Sequence, residues 1–405
     1  MIHHFEEIAN HPNVMFWGNT AVGGNAVSLG ELREMYDAVI LACGAEGGRR
    51  LDIPGSQLKG IYSARDFVNW YNGYPDEKPL AIDLQTVQSV CIAGMGNVAL
   101  DCARILLKEP NSLKETDISS RAFDALKNSS VQEVHMLARR GPAQAACTPK
   151  ELRELLGVDG IGLHIYPPGA LKLGKLCEDE IKGSRIKRRV MEVLNKHSGS
   201  VQLEKPSARS LHLHFLSSPA RYLGESGALE NLEFEINRLV PMKGRSQQQA
   251  IGTGECKSIN VQLAIESVGY KVAPMPSVPF DERTATIPNI LGQVVDESQG
   301  TYPGLFVCGW LKRGPSGIIG TNLIDAEQTI DTMVRSKNEW SSVGQEYRKA
   351  GRQRLKPLLR ERGHNSVDFH GWKKIDKEEV FRGESKGKLR EKILSIEDML
   401  SIAKS

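Results

Sequence analysis

The sequence has no long apolar run, no cysteine cluster and little net charge. No stretch of 18 apolar residues occurs in the 405, which argues against a membrane-spanning helix. The seven cysteines are scattered, without a C-x-x-C pair or zinc-ligand spacing, so we expect a reducing compartment and no metal site. The formal charge of +3 gives no reason to expect a nucleic-acid partner. The first residues, MIHHFEEIANHPNV, lack both an apolar signal core and the arginine-rich pattern of a transit peptide.

The sequence does contain a glycine-rich loop between a short apolar run and a helix-like run, VCIAGMGNVALDCARILL at 90–107. Gly94, Gly96 and Ala99 fill the three positions of the dinucleotide pattern G-x-G-x-x-G/A. The first glycine permits the tight turn, the second lets the backbone approach a pyrophosphate, and the alanine lets the helix pack close to its strand. The loop predicts a dinucleotide at the amino end of the helix. The alternative is a glycine turn that only shapes a Rossmann-like unit.

The end of the next predicted strand indicates which dinucleotide this is. An NAD site needs an acidic residue about 20 positions after the glycines, where it binds the ribose hydroxyl. Here the next strand comes late, in VQEVHMLARRGP at 131–142, and ends in Arg139 and Arg140. Two guanidiniums suit a 2′-phosphate, which they can bind through charge-assisted hydrogen bonds. The sequence therefore predicts NADP(H), and the alternative is an exposed arginine pair without a ligand.

A second apolar strand followed by glycines lies near the carboxyl end, in PGLFVCGWLKRGPSGIIGTNLIDAEQTIDTMV at 303–334. The strand is predicted over 304–308, and a helix is predicted to begin near Leu323. The loop between them contains Gly314, Gly317 and Gly320. Loops of this kind hold the ribityl-phosphate chain of a flavin. A further buried parallel strand is predicted over 38–42.

Taken together, these motifs resemble those of the mitochondrial NADPH:adrenodoxin oxidoreductase family, which are ferredoxin-NADP reductases of the glutathione-reductase-like flavoprotein class. The resemblance runs along the whole chain through long, ordered motifs, among them FWGNTAVGG (16–24), SARDFVNWYNGYP, GMGNVALDCARILL, LARRGP, SVGYK (267–271), GWLKRGPSGIIGT and GWKKIDKEEVFRG. It implies an α/β fold with two Rossmann-like dinucleotide-binding domains. The FAD-binding domain would be discontinuous, over 1–49 and 273–405, and the NADP-binding domain would occupy 50–272.

The resemblance also implies a function and a place in the cell. Electrons would pass from NADPH through FAD to an acidic [2Fe-2S] ferredoxin of the adrenodoxin type. The chain would lie in the mitochondrion, without a transmembrane segment and peripheral to the inner membrane, although no transit peptide is readable in it. No nucleic-acid partner and no metal site are implied.

The family's cofactor-binding residues can be placed on matching positions of this sequence. Those expected to bind NADP are Gly94, Met95, Gly96, Asn97 and Val98 at the pyrophosphate, Arg139 and Arg140 at the 2′-phosphate, and Glu151 at the nicotinamide-side ribose. Those expected to line FAD are Trp310, Gly317, Ile318 and Ile319, with Gly317 also touching NADP, and Val22 against the adenine half.

Two further sites follow from the resemblance, and each has a simpler alternative. Asp101 falls where the family places a carboxylate near the flavin and the nicotinamide, so it is the candidate catalytic residue. The alternative is a solvated aspartate that interacts with the helix dipole. The ferredoxin would dock on a basic segment formed by Arg185, Lys187, Arg188 and Arg189. The alternative is a solvated helix start.

The sequence departs from the family pattern at its beginning. Members begin with a strand, a G-x-G-x-x-G loop and a helix that bind the FAD pyrophosphate, and this chain begins after that unit. We therefore expect an amino-terminally incomplete FAD domain and weak or no FAD binding. A non-catalytic NADP-binding form without stable FAD is the alternative function. A dithiol reductase would need a C-x-x-C pair, and the small subunit of glutamate synthase would need amino-terminal cysteine clusters, neither of which is present.

Overall fold

The chain forms two compact units in the computed structural model, which describes residues 2–75, 80, 82–198, 209–242, 247–296, 298, 300–317, 319–341 and 349–405. The first unit comprises Met1–Gly47, Gly269–Glu379 and Ser395–Ser405. The second comprises Gly48–Val268 and a returning segment, Val380–Leu394. Among the helices described, none combines the length and apolar character needed to cross a membrane.

The second unit is built on a six-stranded sheet in which all neighbouring strands run parallel. In spatial order the strands are β3 (Ile61–Ser63), β11 (Leu263–Glu266), β4 (Ser89–Ala93), β5 (Glu133–Ala138), β7 (Arg209–Phe215) and β6 (Ile161–Tyr166). Every residue of β4 is buried, as expected for a central parallel strand that is covered on both faces.

Helices cover one face of this sheet. They are α3 (Ala64–Asn72), α4 (Asn97–Leu107), α5 (Ser120–Lys127), α6 (Pro149–Leu156), α7 (Lys175–Lys182) and α8 (Arg185–Ser198). Their apolar sides pack with alternate strand residues, such as Val134 and Leu213, into one large core. The helix boundaries follow local signals, since Ser63 and Asp66 form a capping box at the start of α3 and left-handed Gly73 ends it.

A second, smaller sheet covers the opposite face. Its three antiparallel strands, in the order β10 (Gln248–Asn260), β9 (Asn231–Pro241) and β8 (Ser217–Leu223), follow directly on β7 in the chain. Leu232 and Phe234 of β9 lie in one apolar cluster with Cys91 and Leu137 of the larger sheet. The six-stranded sheet is therefore enclosed by helices on one side and by strands on the other.

The returning segment completes the second unit. Lys388 donates a hydrogen bond to the carbonyl oxygen of Ile118 at 2.6 Å, and the hydroxyl of Ser120 donates to the carboxylate of Glu391 at 2.8 Å. The side chain of Lys388 is only 7% exposed and pairs with Glu391 at 2.5 Å. Ile393 is buried. Residues close to the carboxyl end are thus fixed at the start of α5.

The first unit contains a four-stranded sheet in the order β1 (Val39–Leu41), β15 (Gly300–Val307), β14 (Gln293–Asp296) and β13 (Asn289–Ile290). β1 runs parallel to β15, and the other pairs are antiparallel. The remaining strands are β2 (Gly47–Gly48) and β12 (Tyr270–Lys271). The remaining helices are α1 (Ile2–Ala9), α2 (Leu29–Met35), α9 (Trp310–Arg313), α10 (Ile319–Arg335), α11 (Lys337–Trp340), α12 (Arg352–Glu361), α13 (Phe369–Glu384) and α14 (Ile396–Lys404).

One predicted helix boundary in this unit was wrong. The helix expected from about Leu323 begins at Ile319, so Gly320 lies in its first turn instead of in the preceding loop. Glycine disfavours helix interiors through its conformational entropy, which is why the sequence pattern indicated a loop there. The cost is acceptable in a first turn, where the backbone amides have no carbonyl partners within the helix.

Candidate nucleotide-binding sites

Gly94 shapes the turn that leaves β4. Its φ is +134°, and a Cβ built on it would lie 2.3 Å from the carbonyl oxygen of Ser267. Its amide donates to the carbonyl oxygen of Leu137 at 2.9 Å, which ties the turn to the neighbouring strand β5. No side chain fits at this position without moving the backbone. The requirement for glycine at position 94 therefore comes from the backbone conformation and close packing of the turn itself.

Gly96 has a different environment. It is the residue that precedes α4, no side chain caps that helix, and a Cβ built on Gly96 would meet no heavy atom within 4 Å. The first amides of α4 have no carbonyl partner within the helix and no side-chain cap from Gly96, and the position that a Gly96 side chain would take is unobstructed. Met95 and Ala99 on either side are buried. An uncapped helix terminus with open space before it can accept a pyrophosphate.

The start of α6 is tied to this loop. The side-chain oxygen of Asn97 accepts a hydrogen bond from the amide of Thr148 at 2.8 Å, and Gly96 forms a parallel bridge with Ala146. Thr148 caps α6, in which Glu151 is the third residue. The structure therefore brings the first turn of α6, with Glu151, beside the turn that contains Gly96, while Val98 lies half-buried in the first turn of α4.

Arg139 and Arg140 lie at the same edge of the sheet. β4 and β5 pair with Ala93 opposite Leu137, so the glycine loop and the arginines both follow the carboxyl ends of adjacent parallel strands. The carbonyl oxygens of Arg139 and Arg140 accept hydrogen bonds from the Asn237 side chain at 2.9 Å and the Leu216 amide at 3.1 Å. Within the part of the chain that the structure describes, neither guanidinium has an ion-pair partner. Two cations without a protein partner are thus available to an anionic ligand.

Asp101 lies in the second turn of α4, beyond the first-turn position expected for it. Its carboxylate accepts a hydrogen bond from Arg104 at 2.8 Å, three residues further along the helix. Both side chains are about one-third exposed, at 33% and 27%. This ion pair is a local role that any helical aspartate can have, and the catalytic assignment of Asp101 stays a prediction.

The predicted FAD residues lie in the first unit. Gly309, at φ +69°, connects β15 to α9, whose first residue is Trp310. The indole nitrogen of Trp310 is buried without a hydrogen-bond partner among the described residues. Gly317 has φ +90° shortly before α10, which begins with Ile319, and Ile318 lies outside the described residues.

Two further features of this unit bear on the same loop. The ammonium of Lys312 lies 3.2 Å from the carboxylate of Asp325, and both side chains are less than 10% exposed. Asp325 also accepts a hydrogen bond from the amide of Gly309, so the pair fixes the loop to α10. Val22, predicted to lie against the adenine half of FAD, is 41% exposed. Single exposed apolar side chains are common on protein surfaces, so the contact of Val22 with FAD stays a prediction.

The basic segment forms the first turns of α8, which begins at Arg185. Arg185, Arg188 and Arg189 are exposed. Lys187 differs, because its ammonium lies 2.6 Å from the carboxylate of Glu180, whose side chain is 3% exposed. Burial acts to raise the pKa of Glu180, but hydrogen bonds from Lys187 and two glutamines keep it below its usual value. Lys187 is therefore paired within the chain, whereas Arg185, Arg188 and Arg189 have no ion-pair partner among the described residues, and Arg188 donates a hydrogen bond to the carbonyl oxygen of Lys182 at 3.1 Å.

Sequence reasoning missed Thr148, although a signal for it was present. The stretch TPKE at 148–151 has threonine, proline and glutamate at the spacing of a helix start. What the sequence could not show is that Asn97 accepts a hydrogen bond from the amide of this residue, because that contact joins positions 51 residues apart.

No family model matches the chain. Two curated proteins, however, are similar to it over nearly its whole length. It is 42% identical over 413 residues to the mitochondrial NADPH:adrenodoxin oxidoreductase of Arabidopsis thaliana, an alignment that covers 99% of this chain and 84% of that protein. It is 38% identical over 410 residues to the NADPH-ferredoxin reductase FprA of Mycobacterium tuberculosis, covering 98% and 85%.

A solved structure gives the same result. The structure of Mycobacterium tuberculosis FprA in complex with NADPH superposes with a TM-score of 0.91 at 37% identity, covering 100% of this chain and 86% of that one. The predicted α/β fold with two dinucleotide-binding domains is thereby confirmed, as is the predicted resemblance. This chain belongs to the NADPH:adrenodoxin oxidoreductase family.

Proposed function

We propose that this chain is an FAD-dependent oxidoreductase that transfers electrons from NADPH to a [2Fe-2S] ferredoxin of the adrenodoxin type. The observation that carries the proposal is the edge of the six-stranded sheet, where the amino end of α4 lies beside two arginines that have no ion-pair partner among the described residues. The relatives named above act with NADPH and with adrenodoxin or ferredoxin according to their names. The chain's sites suit the same reaction class.

In this proposal the second unit binds NADPH over 50–272. The amino end of α4 takes the pyrophosphate, with Met95, Gly96, Asn97 and Val98 around it. Arg139 and Arg140 bind the 2′-phosphate, which an NADH molecule lacks. Glu151, on the first turn of α6, binds the nicotinamide-side ribose, and the hydrogen bond from Thr148 to Asn97 holds that turn in place.

The first unit would hold FAD, within the predicted bounds 1–49 and 273–405 but without the returning segment Val380–Leu394, which packs in the second unit. The described residues fit a bound flavin in two respects: the buried indole nitrogen of Trp310 lacks a partner, and a Cβ built on Gly309 would meet nothing within 4 Å. FAD, when bound, accepts two electrons from NADPH and releases them singly to an iron-sulfur protein. Gly317 and the amino end of α10 would contact it, Val22 would contact its adenine half, and Asp101 would lie near the nicotinamide.

The test is an absorbance spectrum of the purified 405-residue chain after incubation with FAD and desalting. The proposal requires a flavin spectrum near one equivalent that bleaches when NADPH is added, whereas the amino-terminally incomplete FAD domain led us to expect weak or no FAD binding. A colourless protein that still binds 2′-phospho-ADP-ribose would contradict the proposal and support an NADP-binding form without stable FAD. Reduction of an added [2Fe-2S] ferredoxin, followed in the visible spectrum, then tests the acceptor.

The location follows the same reasoning. The Arabidopsis thaliana relative is named as a mitochondrial protein, which supports a mitochondrial place for this chain. An acidic ferredoxin is the partner that the exposed arginines of α8 would attract.

Charge reversal on α8 tests the docking surface. Arg188→Glu together with Arg189→Glu is expected to raise the KM for the ferredoxin by roughly tenfold or more at low salt, because exposed charges at an interface govern the rate of association. The value of kcat with saturating ferredoxin should not change. The KM of the variant should also depend less on salt than that of the unaltered chain.

Two other variants make this test specific. Arg121→Glu, at an exposed position of α5, removes a cation of the same kind away from the segment and should leave the KM unchanged. Lys187→Glu should lower stability instead of only weakening docking, because it places a second carboxylate against buried Glu180. If the double variant has the ferredoxin KM of the unaltered chain, α8 is not the docking surface.

A further inference from the structure

A group of histidines lies on one face of the six-stranded sheet in the second unit. The register pairs His135 of β5 with His212 of β7, and pairs His212 in turn with His164 of β6. His214 is two residues beyond His212 and therefore points to the same face. Alternate residues of these strands, such as Val134 and Leu213, pack on the opposite, helical side. The histidines thus lie on the side that carries the antiparallel sheet.

Their rings are close together and largely enclosed. The ring of His212 stacks between those of His135 and His164, with centroids 4.4 Å and 4.6 Å away. His135 and His214 are 7% and 8% exposed. Phe234 of β9 packs edge-on against His214 at 5.6 Å. Water has little access to this group, so its polar atoms depend on partners within the protein.

The nitrogen atoms are arranged in a way that a metal ion could use. Nδ1 of His135 and Nε2 of His214 are 3.1 Å apart, and one ring nitrogen from each of His135, His212 and His214 lies within 4.8 Å of the others. Nε2 of His212 is buried and has no hydrogen-bond partner among the described residues. Two nitrogens on one tetrahedral zinc ion, each at about 2.0–2.1 Å, are roughly 3.3 Å apart. In the metal-free arrangement Nδ1 of His135 and Nε2 of His214 share a hydrogen bond, and the rings of His135 and His212 stack at 19°, so metal binding requires the rings to turn until their in-plane lone pairs converge on one ion.

The surroundings supply two further properties of a zinc site. A carboxylate oxygen of Glu133 lies 3.5 Å from Nε2 of His135, the nitrogen that faces away from His214. Carboxylates in this position orient metal-binding histidines. The second property is burial: His135 and His214 are 7% and 8% exposed, and burial disfavours the charged imidazolium form, which cannot bind a metal ion.

We propose that His135, His212 and His214 form a Zn²⁺-binding site between the two sheets of the second unit. Three neutral imidazoles are a donor set that zinc accepts, with a water or a further side chain as the fourth ligand. The site would join β5 to β7 through strand residues that precede Arg139 and Arg140 in the sheet. This proposal differs from our expectation of no metal site. That expectation considered cysteine spacing only, and not histidines on adjacent strands.

The experiment uses the full chain, stripped of metal with a chelator, and Zn²⁺ as the probe. Titration against a chromophoric zinc indicator is expected to show one tight equivalent. His212→Asn should weaken this binding by tenfold or more. The matched control is His164→Asn, which removes a ring stacked on His212 from the other side but is not among the three ligands, and it should retain the equivalent.

Two measurements keep the result clear if a variant folds poorly. Circular dichroism and binding of 2′-phospho-ADP-ribose report whether the second unit is intact, and His214→Asn provides an independent second ligand variant. Co²⁺ added in place of Zn²⁺ should give the visible absorption of a tetrahedral ion in the unaltered chain and lose it in His212→Asn. The proposal is overturned if the chain shows no tight equivalent, or if that equivalent survives in folded His212→Asn and His214→Asn as binding to surface histidines.

Discussion

Replacement of Arg139 and Arg140 together by glutamine is expected to weaken binding of 2′-phospho-ADP-ribose by roughly 10²- to 10⁴-fold. Each arginine can form charge-assisted hydrogen bonds to the 2′-phosphate, and such bonds contribute about 1.5–3 kcal/mol each. Because neither guanidinium has an ion-pair partner among the described residues, no internal contact is lost in exchange. The measurement is isothermal titration calorimetry on the 405-residue chain, which requires no bound flavin.

Selectivity is the decisive part of that measurement. ADP-ribose lacks the phosphate, so its affinity should be the same for the double variant and the unaltered chain. Arg121→Gln, an exposed arginine on α5, is the matched control and should bind both ligands normally. If the double variant loses affinity for both ligands equally, the two arginines do not recognise the 2′-phosphate.

Gly94→Ala is expected to destabilise the second unit by about 2–4 kcal/mol, which lowers its thermal midpoint by roughly 4–16 °C. The added methyl group would lie 2.3 Å from the Ser267 carbonyl oxygen, and φ at this position is +134°. Both the clash and the backbone conformation oppose any side chain. Differential scanning calorimetry of the purified chain measures the shift.

Gly96→Ala, two residues further on, gives the opposite pattern and serves as the comparison. Its methyl group would enter open space at φ −97°, so the thermal midpoint should stay within about 2 °C of the original value. The affinity for 2′-phospho-ADP-ribose should instead fall about tenfold or more, because the methyl group occupies the place where the pyrophosphate would approach the backbone. A stable Gly94→Ala protein, or tight nucleotide binding by Gly96→Ala, would show that these roles are assigned to the wrong glycines.

The strand, glycine turn and helix of 89–107 could be predicted from the sequence because their signals are local, while nucleotide binding there stays a prediction. Gly94, Gly96 and Ala99 act within one turn, and the strand and helix around them read directly from apolar periodicity. Arg139 and Arg140 could be placed beside the loop for a similar reason, since adjacent parallel strands end at one edge of a sheet. The glycine motif and the order of the parallel strands were sufficient to predict that the glycine turn and the two arginines lie at the same edge of the sheet.

Other features were beyond the sequence because they depend on which distant residues meet. Lys187 is one of four basic residues at positions 185–189, and the sequence does not distinguish it from the other three. Its contact with Glu180 depends on how α7 and α8 pack. The histidines of β5, β6 and β7 become neighbours only through strand register, and a shift of one residue would point them to the helical face. The start of α10 was misplaced because glycine in a first turn is cheaper than its average propensity suggests.

The returning segment Val380–Leu394 has a consequence for biosynthesis. Hydrogen bonds from Lys388 and to Glu391 join residues about 270 positions away in the chain, so the start of α5 is covered only after nearly the whole polypeptide has been made. At about 5–20 residues added per second, a wait on the order of ten seconds separates the synthesis of β11 from that of this segment. A nascent chain therefore carries an incomplete second unit during this interval, and chaperones can bind the surface that Ile393 later buries.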